Sequence, residues 1–207
     1  MTIVNRLASQ LDRRDEEPNI ELAHELASEE NKVGIIEIID NLSNKDKKIR
    51  HDCIKVTYEI GQVKPELISD YAIKFVGLLR SRDNRMVWGA MQALATIAHL
   101  KADLLMKQLH EIQLAVKNGS VITVDKGIIT LAKVAASNKE KNERIFPFLI
   151  EHLKKCRTKE VPQHAESTCI AVNDENKEEF LQVLREREPY MTEPQRKRIA
   201  KLIKSVG

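Results

Sequence analysis

The side chains with the most distinctive binding chemistry in this sequence are its sole tryptophan, Trp88, and several cations that the sequence pattern places near it. Arg85 precedes Trp88 by three residues, and His51, Lys55 and Lys126 occupy related positions on neighbouring helices. A tryptophan that projects from a helix can stack on a nucleobase, hold a cation over its ring or anchor a protein interface. This combination therefore predicts a binding site.

The candidate binding residues lie between the core positions of successive helices, so they should form a ladder on one surface. We predict that this ladder lines the concave side of the protein and contacts a partner. Its members are His51, Lys55, Arg85, Trp88, Gln92, Asp125 and Lys126. A second interpretation of Trp88 stays open, in which its ring packs between two neighbouring helices.

The sequence lacks the common catalytic and nucleotide-binding motifs, including the P-loop, the G-x-G-x-x-G turn, H-E-x-x-H and G-x-S-x-G. No histidine is spaced along a helix with two further ligands, so we expect neither a metal nor a cofactor. Cys53, Cys156 and Cys169 form no C-x-x-C pair and are expected to be buried, reduced thiols. We therefore predict no catalytic residues.

The composition favours long helices, because 31% of the residues are charged and only 4% are aromatic. The longest largely apolar run, residues 90–98, is too short to cross a bilayer, and the N-terminus lacks the apolar core of a signal peptide. We therefore expect a cytoplasmic protein that does not enter membranes.

The charge is distributed unevenly along the chain. Residues 1–43 carry a net charge of −6, residues 44–138 carry +6 and residues 139–207 carry +3. A basic middle segment can attract an anionic partner, although it also occurs on ordinary solvated helix faces. Nucleic acid is therefore an alternative partner to protein.

A repeat of 34–38 residues determines the expected fold. Polar residues that can cap a helix recur at this interval, and each is followed by apolar or small residues at positions +3, +7, +10 and +11, which share one helical face. The predicted caps are Asp46, Asp83, Ser120, Thr158 and Thr192. An amphipathic stretch precedes each cap, so every unit should be a helix, a turn and a second helix.

This pattern resembles the HEAT repeat family, whose second helix starts from an aspartate in the turn and continues with apolar and small residues. The two segments that match best are Ile49-Arg50-x-x-Cys53-x-x-Val56 and Met86-Val87-x-x-Ala90-x-x-Ala93-Leu94. Pro147, within a first helix, is similar to the bend common in that family. The resemblance implies an all-α fold, a right-handed superhelical solenoid of five to six stacked antiparallel hairpins.

We accordingly predict a single solenoid domain over residues 1–207. Residues 1–30 are expected to be acidic capping helices, near Ile3 to Leu11 and Ile20 to Glu29. The predicted hairpins are 31–63, 64–100, 101–138, 139–173 and 174–207. Each hairpin has to bury its apolar faces against its neighbours.

The resulting functional hypothesis is a non-catalytic scaffold or adaptor that binds a protein partner, with a nucleic-acid-binding module as the alternative. A third possibility is an enzyme like the HEAT-like alkylated-DNA glycosylases, which place an aspartate one turn after a concave tryptophan. Here Gln92 follows Trp88 by one turn, and Ile129 occupies the corresponding position of the next unit. Only Asp125 could substitute for the missing acid. The oligomeric state is not predicted.

Overall fold

The computed structural model describes residues 2–207, which fold into α-helices joined by short turns, with no β-strand among them. The helices are α1 Glu17–Ser28, α2 Lys32–Asp40, α3 Lys47–Val63, α4 Glu66–Ser69, α5 Ala72–Leu78, α6 Asn84–Ile97, α7 Ala102–Lys107, α8 Leu109–Asn118, α9 Val121–Ala135, α10 Lys139–Lys155, α11 Val161–Thr168, α12 Lys177–Arg187 and α13 Glu193–Val206. The predicted all-α fold is confirmed. No helix within residues 2–207 combines the length and apolar character needed to traverse a bilayer.

After α1 the helices follow one another as hairpins, and the second helix of each hairpin is α3, α6, α9, α11 or α13. The first helix is split in two of the hairpins, into α4 and α5 and into α7 and α8. The N-terminal segment differs from the predicted helix near Ile3 to Leu11, because residues Ile3–Arg6 and Ala8–Leu11 form short 3₁₀ helices.

The chain divides into two compact units, one ending at Gly127 and the other starting at Ile128. In the first unit, α3 packs against both α1 and α6. Helices α3 and α6 approach closely at a glycine, since a Cβ atom added to Gly89 would lie 2.6 Å from Cγ1 of Ile54. The prediction of a single domain over residues 1–207 stays a prediction.

Polar contacts between neighbouring hairpins recur at nearly constant separations in sequence. In the first unit, residues 31–34 apart are joined by hydrogen bonds between Lys64 and Glu30, Lys74 and Asp40, Lys101 and Asp70, Arg80 and Glu111, and His51 and Asp83. In the second unit, Asn176 contacts Asn142 and Arg187 contacts Leu153, in both cases 34 residues apart. The predicted repeat is thus visible in the hydrogen bonds of each unit.

Several predicted helix caps are confirmed. Asp46 accepts a hydrogen bond from Lys48 N at the start of α3, and Asp83 accepts one from Arg85 N at the start of α6. Thr192 forms a capping box with Gln195 at the start of α13. Thr158, in contrast, begins a 3₁₀ turn, and α11 starts three residues later at Val161, with Pro162 in its first turn. The predicted cap at Thr158 is therefore wrong.

The predicted apolar face is buried at most positions of the second helices. Cys53, Val56, Met86, Ala90, Ala93 and Leu94 are almost inaccessible to solvent in the first unit. In the second unit, Val161 and Ala165 are equally inaccessible, and Ile199 is the buried position of α13. Helix α13 is otherwise half-exposed on this face, because Leu202 and Ile203 keep part of their surface in solvent.

Candidate functional site

Trp88 lies in a cluster of aromatic and charged side chains on the second helices of the first unit. We call Glu16, Lys55, Tyr58, Arg85 and Trp88 the Trp88 cluster. The ring centroids of Trp88 and Tyr58 are 6.1 Å apart and the ring planes are inclined by 51°. The guanidinium carbon of Arg85 lies 5.8 Å from the Trp88 ring, and Lys55 Nζ lies 5.0 Å from the Tyr58 ring. Both aromatic rings therefore face a cation within cation–π range.

Glu16 joins the two cations of the cluster. Its carboxylate accepts a hydrogen bond from Arg85 Nη2 at 2.5 Å, and the other carboxylate oxygen lies 3.1 Å from Lys55 Nζ. Glu16 immediately precedes α1 and is separated from Arg85 by 69 residues. The acidic N-terminal segment therefore reaches the predicted binding residues.

Hydrogen bonds hold this N-terminal segment against α3. The Asn19 side chain accepts a bond from Ala8 N at 2.9 Å and donates one to Asp52 at 2.9 Å. The other carboxylate oxygen of Asp52 accepts a bond from Ser9 N at 2.8 Å. Because Asn19 is fully buried and Asp52 nearly so, these bonds form away from competing water. They fix the turn that carries Glu16.

The cluster combines one buried cation, Lys55, with the partly accessible ring of Trp88. Lys55 is only 8% exposed, and its ammonium also pairs with Glu59 at 2.7 Å. Burial lowers the pKa of Lys55, but its hydrogen bonds to Glu59, Tyr58 and Glu16 outweigh burial, so the pKa is raised. For Tyr58, burial has the opposite effect and raises the pKa of the phenol. Lys55 thus stays charged and Tyr58 stays neutral at ordinary pH.

Trp88 itself is half-buried, which bears on both interpretations of its role. Part of its ring packs near Tyr58 of the preceding second helix, and the rest remains open to solvent. Arg85 contributes a buried Nε donor that has no hydrogen-bond partner within residues 2–207. An unpaired buried donor is costly, so a movement of Arg85 that brings this Nε atom to an acceptor is favourable.

His51 belongs to a separate polar group next to the cluster. Its Nε2 atom lies 2.8 Å from Oδ2 of Asp83, and the Arg50 and Lys47 cations lie 3.7 and 4.0 Å from the same oxygen. Burial raises the pKa of Asp83, but the hydrogen bond and charge of His51 outweigh burial and place this pKa below its usual value. His51 therefore orients the carboxylate that caps α6.

The remaining predicted ladder residues are half-buried on the expected helices. Gln92 follows Trp88 by one turn of α6, and Asp125 and Lys126 lie on α9. Among the seven predicted residues, the observed contacts thus bring Lys55, Arg85 and Trp88 together, with His51 alongside. Glu16, whose contacts span two repeats, was not among the predicted residues. The approach of the Tyr58 ring to Trp88 was not predicted either.

Side chains with metal-ligand chemistry converge in the second unit. His152, Cys156 and His164 each offer a ligand atom, and these three atoms lie within 4.8 Å of one another. Spacing along a single helix does not predict this group, because it combines the C-terminal end of α10 with α11. The three cysteines are free; Cys53 is buried as predicted, and Cys156 and Cys169 are half-buried.

The comparisons with known proteins identify the fold. No protein-family profile matches the chain, and no curated protein sequence matches it. Among solved structures, a designed armadillo repeat protein in complex with the peptide (KR)4 has a TM-score of 0.70 and 14% identity, covering 99% of this chain and 98% of that one.

Two further structures agree. A computationally designed armadillo repeat protein for modular peptide recognition has a TM-score of 0.65 and 16% identity, covering 96% of this chain and 95% of the other. The karyopherin Kap121p, bound to the SUMO protease Ulp1p, has a TM-score of 0.65 and 14% identity, covering 96% of this chain but 22% of the karyopherin. The chain has the all-α superhelical repeat fold of armadillo and HEAT proteins.

Proposed function

We propose that this protein is a non-catalytic scaffold that binds a protein partner on the second helices of its first unit. The observation that carries the proposal is the Trp88 cluster, in which a half-buried tryptophan and a tyrosine lie beside two cations. Interfaces are commonly anchored by Trp, Tyr and Arg side chains in partly desolvated positions. We infer that this surface is the concave side of the repeat, and that Trp88 is its central anchor.

The structural comparisons support a protein ligand. One similar structure holds the peptide (KR)4, another was designed for modular peptide recognition, and the karyopherin is bound to Ulp1p. Identities of 14–16% carry over only the fold, so the partner of this chain has to be inferred from its own residues.

The charges in the cluster favour protein over nucleic acid. Lys55 and Arg85 are paired with Glu16, and Lys55 is paired again with Glu59. A phosphate would have to displace these carboxylates or lie next to them, and nucleic-acid binding depends on unneutralised cations. A protein partner avoids that repulsion, since an apolar side chain can contact Trp88 without bringing a second negative charge next to Glu16.

The glycosylase alternative requires a carboxylate one turn after Trp88, and this chain has none at that position. Gln92 occupies the position one turn after Trp88, and its amide cannot supply the negative charge that stabilises a developing cation. We therefore propose binding without catalysis.

The proposal is tested by selecting ligands and then removing the anchor. A random peptide library displayed on phage is selected against the purified chain, and the dissociation constants of enriched, fluorescently labelled peptides are measured by anisotropy. We expect Trp88→Ala to weaken binding at least about tenfold, because truncating a central aromatic anchor costs about 1.4 kcal/mol or more. The matched control is Lys48→Ala, an exposed residue of α3, which should change affinity by less than about threefold.

Two outcomes would overturn the proposal. Equal losses for Trp88→Ala and Lys48→Ala would show that Trp88 is not an anchor. Binding of duplex or single-stranded DNA or RNA that competes with the peptides, and that weakens steeply between low and moderate salt, would instead identify a nucleic-acid-binding surface.

A further inference from the structure

The second unit contains a compact group of nitrogen and sulfur ligand atoms. His152 Nε2 and His164 Nδ1 lie 2.8 Å apart, and the two imidazole ring centroids are separated by 4.7 Å. Cys156 Sγ completes a set in which all three ligand atoms lie within 4.8 Å of one another. The two histidines thus share a position suited to a proton or a metal ion.

Local structure explains why these side chains meet. His152 lies in the last turn of α10, and Cys156, four residues later, directly follows that helix, so the two side chains lie on the same face. A short turn and Pro162 then start α11, which carries the fully buried His164 back to that face. The site therefore depends on a turn between two helices, which spacing along one helix does not reveal.

The end of α10 that carries two of these residues is held by a third helix. The Arg187 guanidinium, from the end of α12, donates hydrogen bonds to the backbone carbonyls of Leu153 at 2.8 Å and Cys156 at 2.7 Å. Carbonyls at the end of a helix otherwise lack partners, so these bonds fix the backbone on which Cys156 lies. A fixed backbone reduces the entropy that a ligand has to overcome.

We propose that His152, Cys156 and His164 form a binding site for a zinc ion. Zinc–nitrogen distances of about 2.0–2.1 Å and zinc–sulfur distances of about 2.3 Å imply separations of roughly 3.3–3.6 Å between tetrahedral ligand atoms. The two imidazole nitrogens, 2.8 Å apart, are closer together than this spacing, and the three ligand atoms lie within 4.8 Å of one another, so side-chain rotations have to adjust these distances for a zinc ion to fit. The ion would replace the proton that the two imidazoles share.

The donor set selects the class of metal. Two imidazoles and one thiolate suit zinc and other borderline-soft ions, whereas magnesium and calcium require oxygen ligands. Three protein ligands leave a fourth position for water or a ligand from outside the site. His152 and Cys156 are half-buried, so this position has access to solvent.

Burial raises the pKa of the Cys156 thiol to about 11, an effect that the nearby Arg187 charge opposes and the Glu160 charge reinforces. Zinc coordinates the thiolate form of cysteine, so coordination by Cys156 would displace the thiol proton.

The test uses the 207-residue chain without an affinity tag, treated with a chelator and then titrated with zinc chloride by calorimetry. We expect one zinc ion per chain, no heat from magnesium chloride, and a thiolate-to-cobalt charge-transfer band when cobalt(II) replaces zinc. Cys156→Ser and His152→Gln should each weaken zinc binding at least about 100-fold, since even changes around a ligand cost 10- to 100-fold.

Matched controls exist on the same chain. Cys169→Ser changes the other half-buried cysteine of this unit, and His99→Gln changes an exposed histidine, so both should bind zinc as the wild type does. His164 is fully buried, and its replacement could prevent folding, so Cys156→Ser and His152→Gln carry the test, with circular dichroism confirming that they fold.

Zinc should also raise the Tm of the wild type and of Cys169→Ser but not that of Cys156→Ser, because only a native site stabilises the folded state. The proposal is wrong if zinc produces no heat, if the cobalt complex lacks the charge-transfer band, or if Cys156→Ser and Cys169→Ser bind zinc equally well.

Discussion

Asn19 fastens the N-terminal turns of the protein to α3. It is fully buried, and it connects the Ala8 amide to the Asp52 carboxylate. Asn19→Ala would leave the buried Ala8 N–H without an acceptor and Asp52 with one partner fewer. We expect the free energy of unfolding to fall by about 2 kcal/mol, measured by urea denaturation.

The control for Asn19 is Asn118→Ala, which changes an exposed asparagine at the end of α8 and should alter stability by less than about 0.5 kcal/mol. A similar effect from both substitutions would mean that the buried hydrogen bonds of Asn19 contribute nothing measurable.

Contacts between side chains could be predicted only where the sequence pattern determines which residues are neighbours. The helical register placed Lys55, Arg85 and Trp88 near one another, because such a register is a property of local sequence. Glu16 was missed because it reaches Arg85 across 69 residues. The approach of His164 to His152 was also missed, because it depends on how a turn orients two helices.

At the scale of elements, the start of α6 depends on one carboxylate. Oδ1 of Asp83 accepts the capping hydrogen bond from Arg85 N, and Oδ2 lies 2.8 Å from His51 Nε2. The cations of Arg50 and Lys47 lie near the same Oδ2 atom. Its pKa is lowered in the folded state, so the charged form stabilises the fold. This contribution is fully present above the unfolded-state pKa of about 3.9 and is lost as the pH falls through the lower folded-state value.

Asp83→Asn tests this charge, because asparagine caps a helix as well as aspartate but carries no charge. We expect the variant to lose about 1–2 kcal/mol of stability at pH 7, and the difference from the wild type to shrink steadily below pH 4. Denaturant unfolding at a series of pH values measures this difference in the free energy of unfolding. Stability curves that stay parallel down to pH 2 would contradict this assignment.

Helix ends were predictable where a side chain caps the backbone directly. Asp46, Asp83 and Thr192 cap the helices that the sequence indicated. At Thr158 the same residue type begins a 3₁₀ turn, and Pro162 favours a helix start at Val161, since proline is well suited to the first turn. A capping residue alone therefore does not locate a helix when a proline follows closely.

At the scale of the whole molecule, the period in the sequence reappears as the separation of contacting residues. Caps spaced 34–38 residues apart predicted repeating hairpins, and hydrogen bonds between neighbouring hairpins join residues 31–36 apart. The sequence contains no comparable sign of the division into two compact units, because the capping pattern continues across Gly127 without a linker.

The contact between Glu16 and Arg85 has a consequence for folding kinetics. Contacts between neighbouring hairpins close chain loops of 31–36 residues, whereas Glu16 reaches Arg85, 69 residues away, only once α1 and α6 have both packed against α3. Doubling a loop costs about 0.6 kcal/mol of closure entropy, so the shorter loops should close first and the Glu16 contact after the rate-limiting barrier. The contact would then stabilise the native state but not the transition state, and so would slow unfolding.

Glu16→Gln should accordingly raise the unfolding rate about fivefold, for a loss of about 1 kcal/mol, and leave the refolding rate unchanged in stopped-flow measurements. The exposed Glu17→Gln serves as the comparison, with little change in either rate. Slower refolding at an unchanged unfolding rate would place Glu16 in the folding nucleus. If the contact between Glu16 and Arg85 forms after the rate-limiting step of folding, it lowers the unfolding rate of the protein. The contacts between neighbouring hairpins then determine the folding rate.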